Sequence, residues 1–239
     1  VEIFEIPTPL WPRNLSLDAF KAQLSASSDT LRGFKNSAII AVGATIISTV
    51  LSIPASYGLA RFRFRAKKVM ILFFLITQML PSTLVLTSLY IMFSKVGLLN
   101  TYWAPILADA TLGIPFSIII LRTYFLSIPK ELDEAAMIDG CSRMQAFFQV
   151  ILPCLKSTTV SVIILNGVGI WNDYQFQLYF LQKPAMRTIT LAISTFFTDS
   201  KQDLGAAAAA AFIVVLPPVL IYIFLQKYFV KGAMDSAVK

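Results

Sequence analysis

An all-α, polytopic transmembrane helical bundle of five spans is the fold that this sequence predicts, and three observations predict it. Of 239 residues 56% are hydrophobic and only 14% charged, with a mean hydropathy of +0.71. The length alone would suit one or two soluble domains, but this composition belongs to integral membrane proteins. Apolar residues gather into five runs, each long enough at about 1.5 Å per helical residue to cross a bilayer core of about 30 Å. One long polar, helix-forming segment, residues 129–153, interrupts them. The chain has no histidine, which removes any catalytic-histidine or histidine-metal reading. Cys141 and Cys154 lack the spacing of a redox pair and read as reduced thiols.

Residues 1–35 are polar, with Pro7, Pro9 and Pro12 near Trp11, and read as an extracytoplasmic arm ahead of a membrane domain over 36–239. Within the arm, Leu15 to Phe20 suits the start of a short helix capped by Ser16. The first span, 36–60, has no charged residue and carries Pro54 near one end. Five cations then fall in eight residues (Arg61, Arg63, Arg65, Lys67 and Lys68). A nucleic-acid patch is conceivable there, but a basic run beside an apolar span is first a topological anchor, so no nucleic acid is expected as a partner. The second span, 69–93, holds Gln78 and Pro81, and the third, 103–126, holds Asp109, Gly113 and Pro115. A fourth span is expected over 157–180, followed by an amphipathic external loop over 181–204. The fifth, 205–226, opens with six alanines, Ala206 to Ala211, small enough for close helix packing, and Pro217-Pro218 should kink it. A short tail, 227–239, ends the chain.

Basic residues set the orientation. The 61–68 link holds five, the 122–156 segment four and the tail three, against eight spread over the other side. The dense segments belong in the cytoplasm, together with the C-terminus. No signal peptide is visible at the start, which is Val1.

The polar segment, 127–156, reads as a helix–turn–helix. Pro129 suits a first turn, and Glu131, Asp133 and Glu134 complement the positive end of the helix that follows. Gly140 is a natural left-handed stop, and Ser142 with Gln145 matches a capping box opening a second helix. Met144, Phe147, Phe148 and Ile151 continue at helical spacing until Pro153 should end the run. Read without a partner it is an amphipathic loop, and read with one it is a handle for another protein.

The order of residues resembles the EAA signature of ABC importer permease subunits. Glu134-Ala135-Ala136 is followed after three residues by Gly140, and after nine more by Val150-x-Leu152-Pro153, with Val150 in place of the usual isoleucine. The resemblance implies a type I ABC importer permease whose first short helix is the coupling helix, docking in a groove of a cytoplasmic ATPase. Glu134, Ala135, Ala136, Asp139, Gly140, Leu152 and Pro153 would form that ATPase-coupling element. Two alanines would let another helix approach closely, and Glu134 would face a basic partner.

A narrower likeness covers nearly the whole chain. Trp171-Asn172-Asp173, the Leu15–Phe20 arm, Tyr57 to Phe62 and the tail Gln226 to Ala233 resemble the shorter, second permease of maltose-type carbohydrate importers. The tail's Met234-Asp235-Ser236 departs from the small Gly-Ala run of many relatives. The family has partners: a second permease subunit, two ATPase subunits that bind ATP and magnesium, and an extracytoplasmic solute-binding protein. Such permeases commonly have six spans, so the resemblance implies one further N-terminal helix ahead of this chain, in a bacterial inner membrane. No Gly-x-x-x-x-Gly-Lys-Ser/Thr loop is present, so no cofactor and no catalytic residue is expected here and the chain is not expected to be an enzyme.

Polar residues in apolar spans are candidate pathway residues. These are Gln78, Asn166, Trp171, Asn172 and Asp173, and also Asp109, with Gln78 and Asp109 the weaker of the six. Around 171–177 two readings stand, an interfacial aromatic belt or a wet surface whose amides hydrogen-bond sugar hydroxyls while aromatics stack on the ring. For Gln78 and Asp109 a buried interhelical hydrogen bond serves as well. The sugar could be a neutral malto-oligosaccharide or an acidic one such as an alginate fragment. A non-carbohydrate importer is the nearer rival. A secondary transporter lacks a broken-helix pair with coupling acids, and a membrane enzyme lacks a carboxylate dyad or metal cluster.

Overall fold

A computed structural model describes residues 16–25, 28–198 and 204–237, and among the described residues every regular element is a helix. The proline-bearing start of the arm, 1–15, and part of the 181–204 loop lie outside the described residues. Helix α1 spans Asp18–Gln23, with Ser16 Oγ accepting the Asp18 N–H at 3.1 Å. Helix α2, Asp29–Arg61, starts well before the uncharged run because Ser28 caps it, accepting the Leu31 N–H at 3.1 Å. It keeps Pro54 inside.

Two predicted spans are not single helices. The run 69–93 divides into α3 (Lys67–Met79) and α4 (Ser82–Lys95), which meet at 98°. Leu80, at φ −76° and ψ 128°, is pushed out of the helical region by the ring of Pro81, and the direction of the chain changes there. The run 157–180 divides into α9 (Lys156–Trp171) and α10 (Gln175–Phe180). Helix α5 (Trp103–Ser127) is one piece through Pro115, and α12 (Leu204–Ala237) continues through Pro217 and Pro218. Helix α11 (Ile189–Thr198) forms within what reads in sequence as a loop. Among the described residues three helices, α2, α5 and α12 over Leu204–Gln226, are long and apolar enough to cross a membrane, and up to five spans result if the bent pairs Lys67–Met79 with Ser82–Lys95 and Arg143–Cys154 with Lys156–Trp171 each count as one.

Small residues set the packing. Ala41, Ala44, Ser48, Ser52 and Ser56 recur every three or four positions on α2 and are buried against α5. Gly113 of α5 completes the crossing: a Cβ there would lie 3.5 Å from that of Ser48 and 3.3 Å from Asn166 Oδ1 of α9. Of the alanine run, Ala206, Ala207, Ala209 and Ala210 are buried, so the run does serve close approach. Elsewhere the helices turn large apolar residues outward, as Val42, Ile46 and Val50 do along α2. That distribution suits a bundle whose solvent is lipid.

Candidate functional site

The polar segment folds into helix α6 (Glu131–Ile138), a tight turn, α7 (Arg143–Ala146), a π-helical turn over Phe147–Ile151 and α8 (Leu152–Cys154). Pro129 lies just ahead of α6 and not in its first turn; its carbonyl accepts the Leu132 N–H at 3.4 Å. Glu131, Asp133 and Glu134 occupy the first turn, as the helix dipole favours. At the other end Gly140 has φ +89°. Cys141 N–H reaches back to Ala136 O at 3.0 Å and Gly140 N–H to Met137 O at 3.2 Å, the paired bonds of a Schellman stop. Ser142 and Gln145 form the expected capping box, with bonds of 2.8 and 3.3 Å.

Pro153 does not end the second helix. The π turn before it is one residue wider than an α turn, which relieves the crowding the ring would cause, and the chain turns by 74° only at Leu155.

Three residues outside the predicted set fix the projection to the bundle. Arg61 Nε pairs with Asp133 Oδ2 at 2.8 Å, and the two side chains are only 7% and 13% exposed. Arg61 also donates to Ile128 O at 3.1 Å and Pro129 O at 3.5 Å. Tyr57 OH donates to Asp133 Oδ1 at 3.0 Å, while its ring tilts against Phe147 with centroids 4.6 Å apart and meets Phe125 edge-on at 5.5 Å. Phe125, Phe147, Ile151 and Leu155 form a buried apolar cluster beneath. The signal in the sequence was Tyr57 and Arg61 four positions apart on one helical face; what it lacked was the partner 76 positions from Tyr57.

The predicted coupling residues divide. Glu134, Ala135, Asp139 and Gly140 are exposed, and Ala136 is buried against the chain's own core, so of the two alanines only Ala135 offers the shallow outer surface. Leu152 and Pro153 sit in the return toward α9 and not on the α6 face. Apolar side chains also stand outward on the projection: Ile138 is 85% exposed, Met144 65% and Phe148 57%. Beside it lies a small cavity of about 130 Å³ whose walls include Arg61, Lys130, Glu134 and Arg143.

The predicted pathway residues do not converge on one surface. Asn166 is buried and donates to Ser117 Oγ of α5 at 2.5 Å. Gln78 donates to Leu112 O of α5 at 3.2 Å, so both serve helix contacts. Trp171 is buried, edge-on to Phe34 of α2 at 5.2 Å, and its Nε1–H donates to Val214 O of α12 at 3.1 Å. It links three helices, α2, α9 and α12, and also lines an apolar cavity of about 430 Å³ between them. Asp173 Oδ2 accepts the Gln177 N–H at 3.3 Å, with the Gln175 and Phe176 N–H groups turned to the same carboxylate, which starts α10. Asn172 alone of the six is both exposed and free of a side-chain bond among the described residues. Asp109 is buried on α5.

A polytopic helical membrane protein with a rigid, apolar-tipped helical projection is the class that this fold and site define. The chain belongs to the binding-protein-dependent transport system inner membrane component family, whose model matches residues 48–234. It is therefore a membrane permease component of such a transport system. It is 38% identical over 206 residues to the probable ABC transporter permease protein YurM of Bacillus subtilis, covering 86% of this chain and 69% of that one. It is 32% identical over 231 residues to the melibiose/raffinose/stachyose import permease protein MelC of the same organism, covering 96% and 83%. Its fold is similar to that in the crystal structure of a bacterial ABC transporter involved in the import of the acidic polysaccharide alginate. The TM-score there is 0.78 at 21% identity, over 92% of this chain and 82% of that chain.

Proposed function

We propose that this chain forms half of the translocation pathway of an ATP-driven oligosaccharide importer. Helix α6 is its coupling helix and docks on a cytoplasmic ATPase subunit. The observation that carries the reading is the projection itself: Ile138 stands 85% exposed on a helix whose base is fixed by the buried Arg61–Asp133 pair. An apolar tip on a rigid base transmits force, whereas a tip on a free loop would absorb it. The projection and the basic 61–68 link then lie in the cytoplasm. A second permease subunit supplies the other half of the pathway, and a solute-binding protein delivers the sugar from outside. ATP and magnesium belong to the partner ATPase subunits; this chain performs no covalent chemistry. The substrate class follows MelC, whose name gives melibiose, raffinose and stachyose import.

The test is ATPase activity of the reconstituted complex with binding protein loaded with neutral or uronic oligosaccharides. Stimulation by one of the two classes is expected and fixes the sugar's charge; no stimulation by any sugar moves the substrate outside carbohydrates. Glu134→Lys is expected to leave the fold intact, because Glu134 is exposed, and to abolish sugar-stimulated hydrolysis. Normal uptake in that variant would sink the coupling role of α6.

A further inference from the structure

Asp109 is an acid inside the bundle that the bundle does not satisfy. It is only 7% exposed, and its Oδ2 is buried with no hydrogen-bond partner among the described residues. A carboxylate in that condition costs far more than a neutral polar group unless something charged compensates it. Packing shows what it faces. Ile106 and Ala110 of α5 share a buried cluster with Ile170 and Trp171 at the end of α9, while Ala104 and Ala108 share another with Phe176 and Phe180 of α10. The stretch of α5 that carries Asp109 therefore packs against both arms of the 172–174 turn, and the acid of that turn is Asp173. Helices α5 and α9 run antiparallel, with Gly113 set against Asn166, so one turn back along α5 brings Asp109 level with the last turn of α9. Asp173 is near enough for its charge to be felt at Asp109. Two acids far apart in the sequence are thus brought together, which no local spacing showed.

No base answers them. Among the described residues the ion pairs engage Asp18, Asp29 and Asp133, and neither Asp109 nor Asp173. The bonds that the Asp173 carboxylate accepts come from backbone N–H groups of α10. Thr190 Oγ1 donates to the Asp173 carbonyl at 3.1 Å and not to its carboxylate. The turn also begins at the C-terminal end of α9, which is the negative end of that helix. Two carboxylates and a helix C-terminus meeting away from water make an arrangement that a cation completes, as helix C-terminal ends and unwound carbonyls do for sodium in membrane bundles. The charge count selects the ion. Calcium takes about six to eight oxygens and magnesium keeps several waters. No third Asp, Glu, His or Cys joins the pair among the described residues. We propose that Asp109 and Asp173 form a binding site for a monovalent alkali cation of the sodium type, which clamps α5 to the turn between α9 and α10. Asn172 is exposed and Asp173 half-buried, so the ion reaches the site from the surface.

The experiment is thermal unfolding of the full chain in detergent at constant ionic strength, with sodium chloride replacing N-methylglucamine chloride. Raising sodium to about tenfold above its Kd should lift the melting midpoint by about 3–6 °C, and the rise should saturate. Asp109→Asn should remove the response. Asp173→Asn, which keeps an oxygen for the α10 N–H groups, should weaken or remove it. Asp29→Asn, at an exposed acid paired with Arg32 at the start of α2, should keep it. Should Asp109→Asn fail to fold, broadening of the sodium NMR signal by the parent chain, lost in Asp173→Asn, takes its place. A parent midpoint equal in the two salts, or a shift that persists in Asp109→Asn, overturns the site. Stabilisation by mild acid with none from sodium would assign a shared proton instead and overturn the cation. Because no ATPase or sugar is present, this result stands or falls apart from the transport reading.

Discussion

The two ends of helix α2 are fastened by different chemistry, and the difference shows what each end is built to do. Near its start, Asn36 Nδ2 donates to Ala185 O at 3.1 Å and Arg187 O at 2.8 Å, and its Oδ1 accepts from Tyr102 OH at 2.8 Å. Ser37 Oγ accepts the Ile189 N–H at 3.1 Å, and Asn100, in a left-handed turn at φ 59°, accepts from the Gln182 and Lys183 N–H groups. Neutral side chains thus hold backbone, bond by bond, and pin the 181–190 stretch in one shape. Some 25 residues further on, about 37 Å along the helix, one buried ion pair and a few aromatic rings hold the whole projection. The first end spreads its cohesion over many modest bonds. The second concentrates it at one point, which is what the proposed coupling role of α6 would require.

Breaking that point should have the largest effect. Asp133→Ala leaves Arg61 buried without its counter-charge, a loss of about 3–5 kcal/mol. Arg61→Leu with Asp133→Leu should recover a good part of it, because no charge is then stranded. Thermal unfolding in detergent, followed together with sugar-stimulated ATPase activity, reads both. A single variant as stable as the parent would mean that the aromatic cluster alone holds α6. The double variant is expected to fold yet transport poorly, since α6 then lacks its bolt.

At the opposite end the expected loss is smaller and local. Asn36→Ala deprives two carbonyls and one hydroxyl of their partner, each a modest bond by itself, with a combined cost of about 1–3 kcal/mol. Hydrogen exchange should quicken across 181–190 and stay unchanged across 131–146. Equal acceleration at both ends would show that the two are one cooperative unit, and the contrast between them would be lost.

The bundle was legible because its cause is compositional: uncharged runs of about 25 residues report apolar surroundings wherever they occur. Direction was not, because apolarity carries none. Pro81 was visible at the middle of a run, but only the backbone shows that Leu80 turns the chain by 98° there and not by a slight kink. Gly140 and the Ser142–Gln145 box were legible since both act within a few residues of themselves. Asp133 was read as one of several dipole-complementing acids, and its bond to Arg61 depends on tertiary placement that no local pattern encodes. The same limit explains Asn166, Trp171 and Asp173. A polar residue in an apolar run announces that it needs a partner, and the structure gives those three Ser117, the Val214 carbonyl and the start of α10.

The smallest change in stability should carry a disproportionate change in function, and it falls at Gly140. A Cβ there would meet nothing within 4 Å, so any penalty comes from the backbone alone. Holding an L-residue at φ +89° costs about 1–2 kcal/mol, less for asparagine, which visits that region more readily. Gly140→Ala can escape the cost by unwinding the Schellman bonds of Gly140 and Cys141, which would let α6 swing relative to α7. The bolt at Arg61–Asp133 survives, so melting should shift little, while the tip at Ile138 loses its aim and ATPase coupling falls. Gly140→Asn should retain more coupling than Gly140→Ala at the same melting temperature. If alanine and asparagine both leave coupling untouched, the turn does not aim the helix, and the ion pair alone sets the direction in which α6 points.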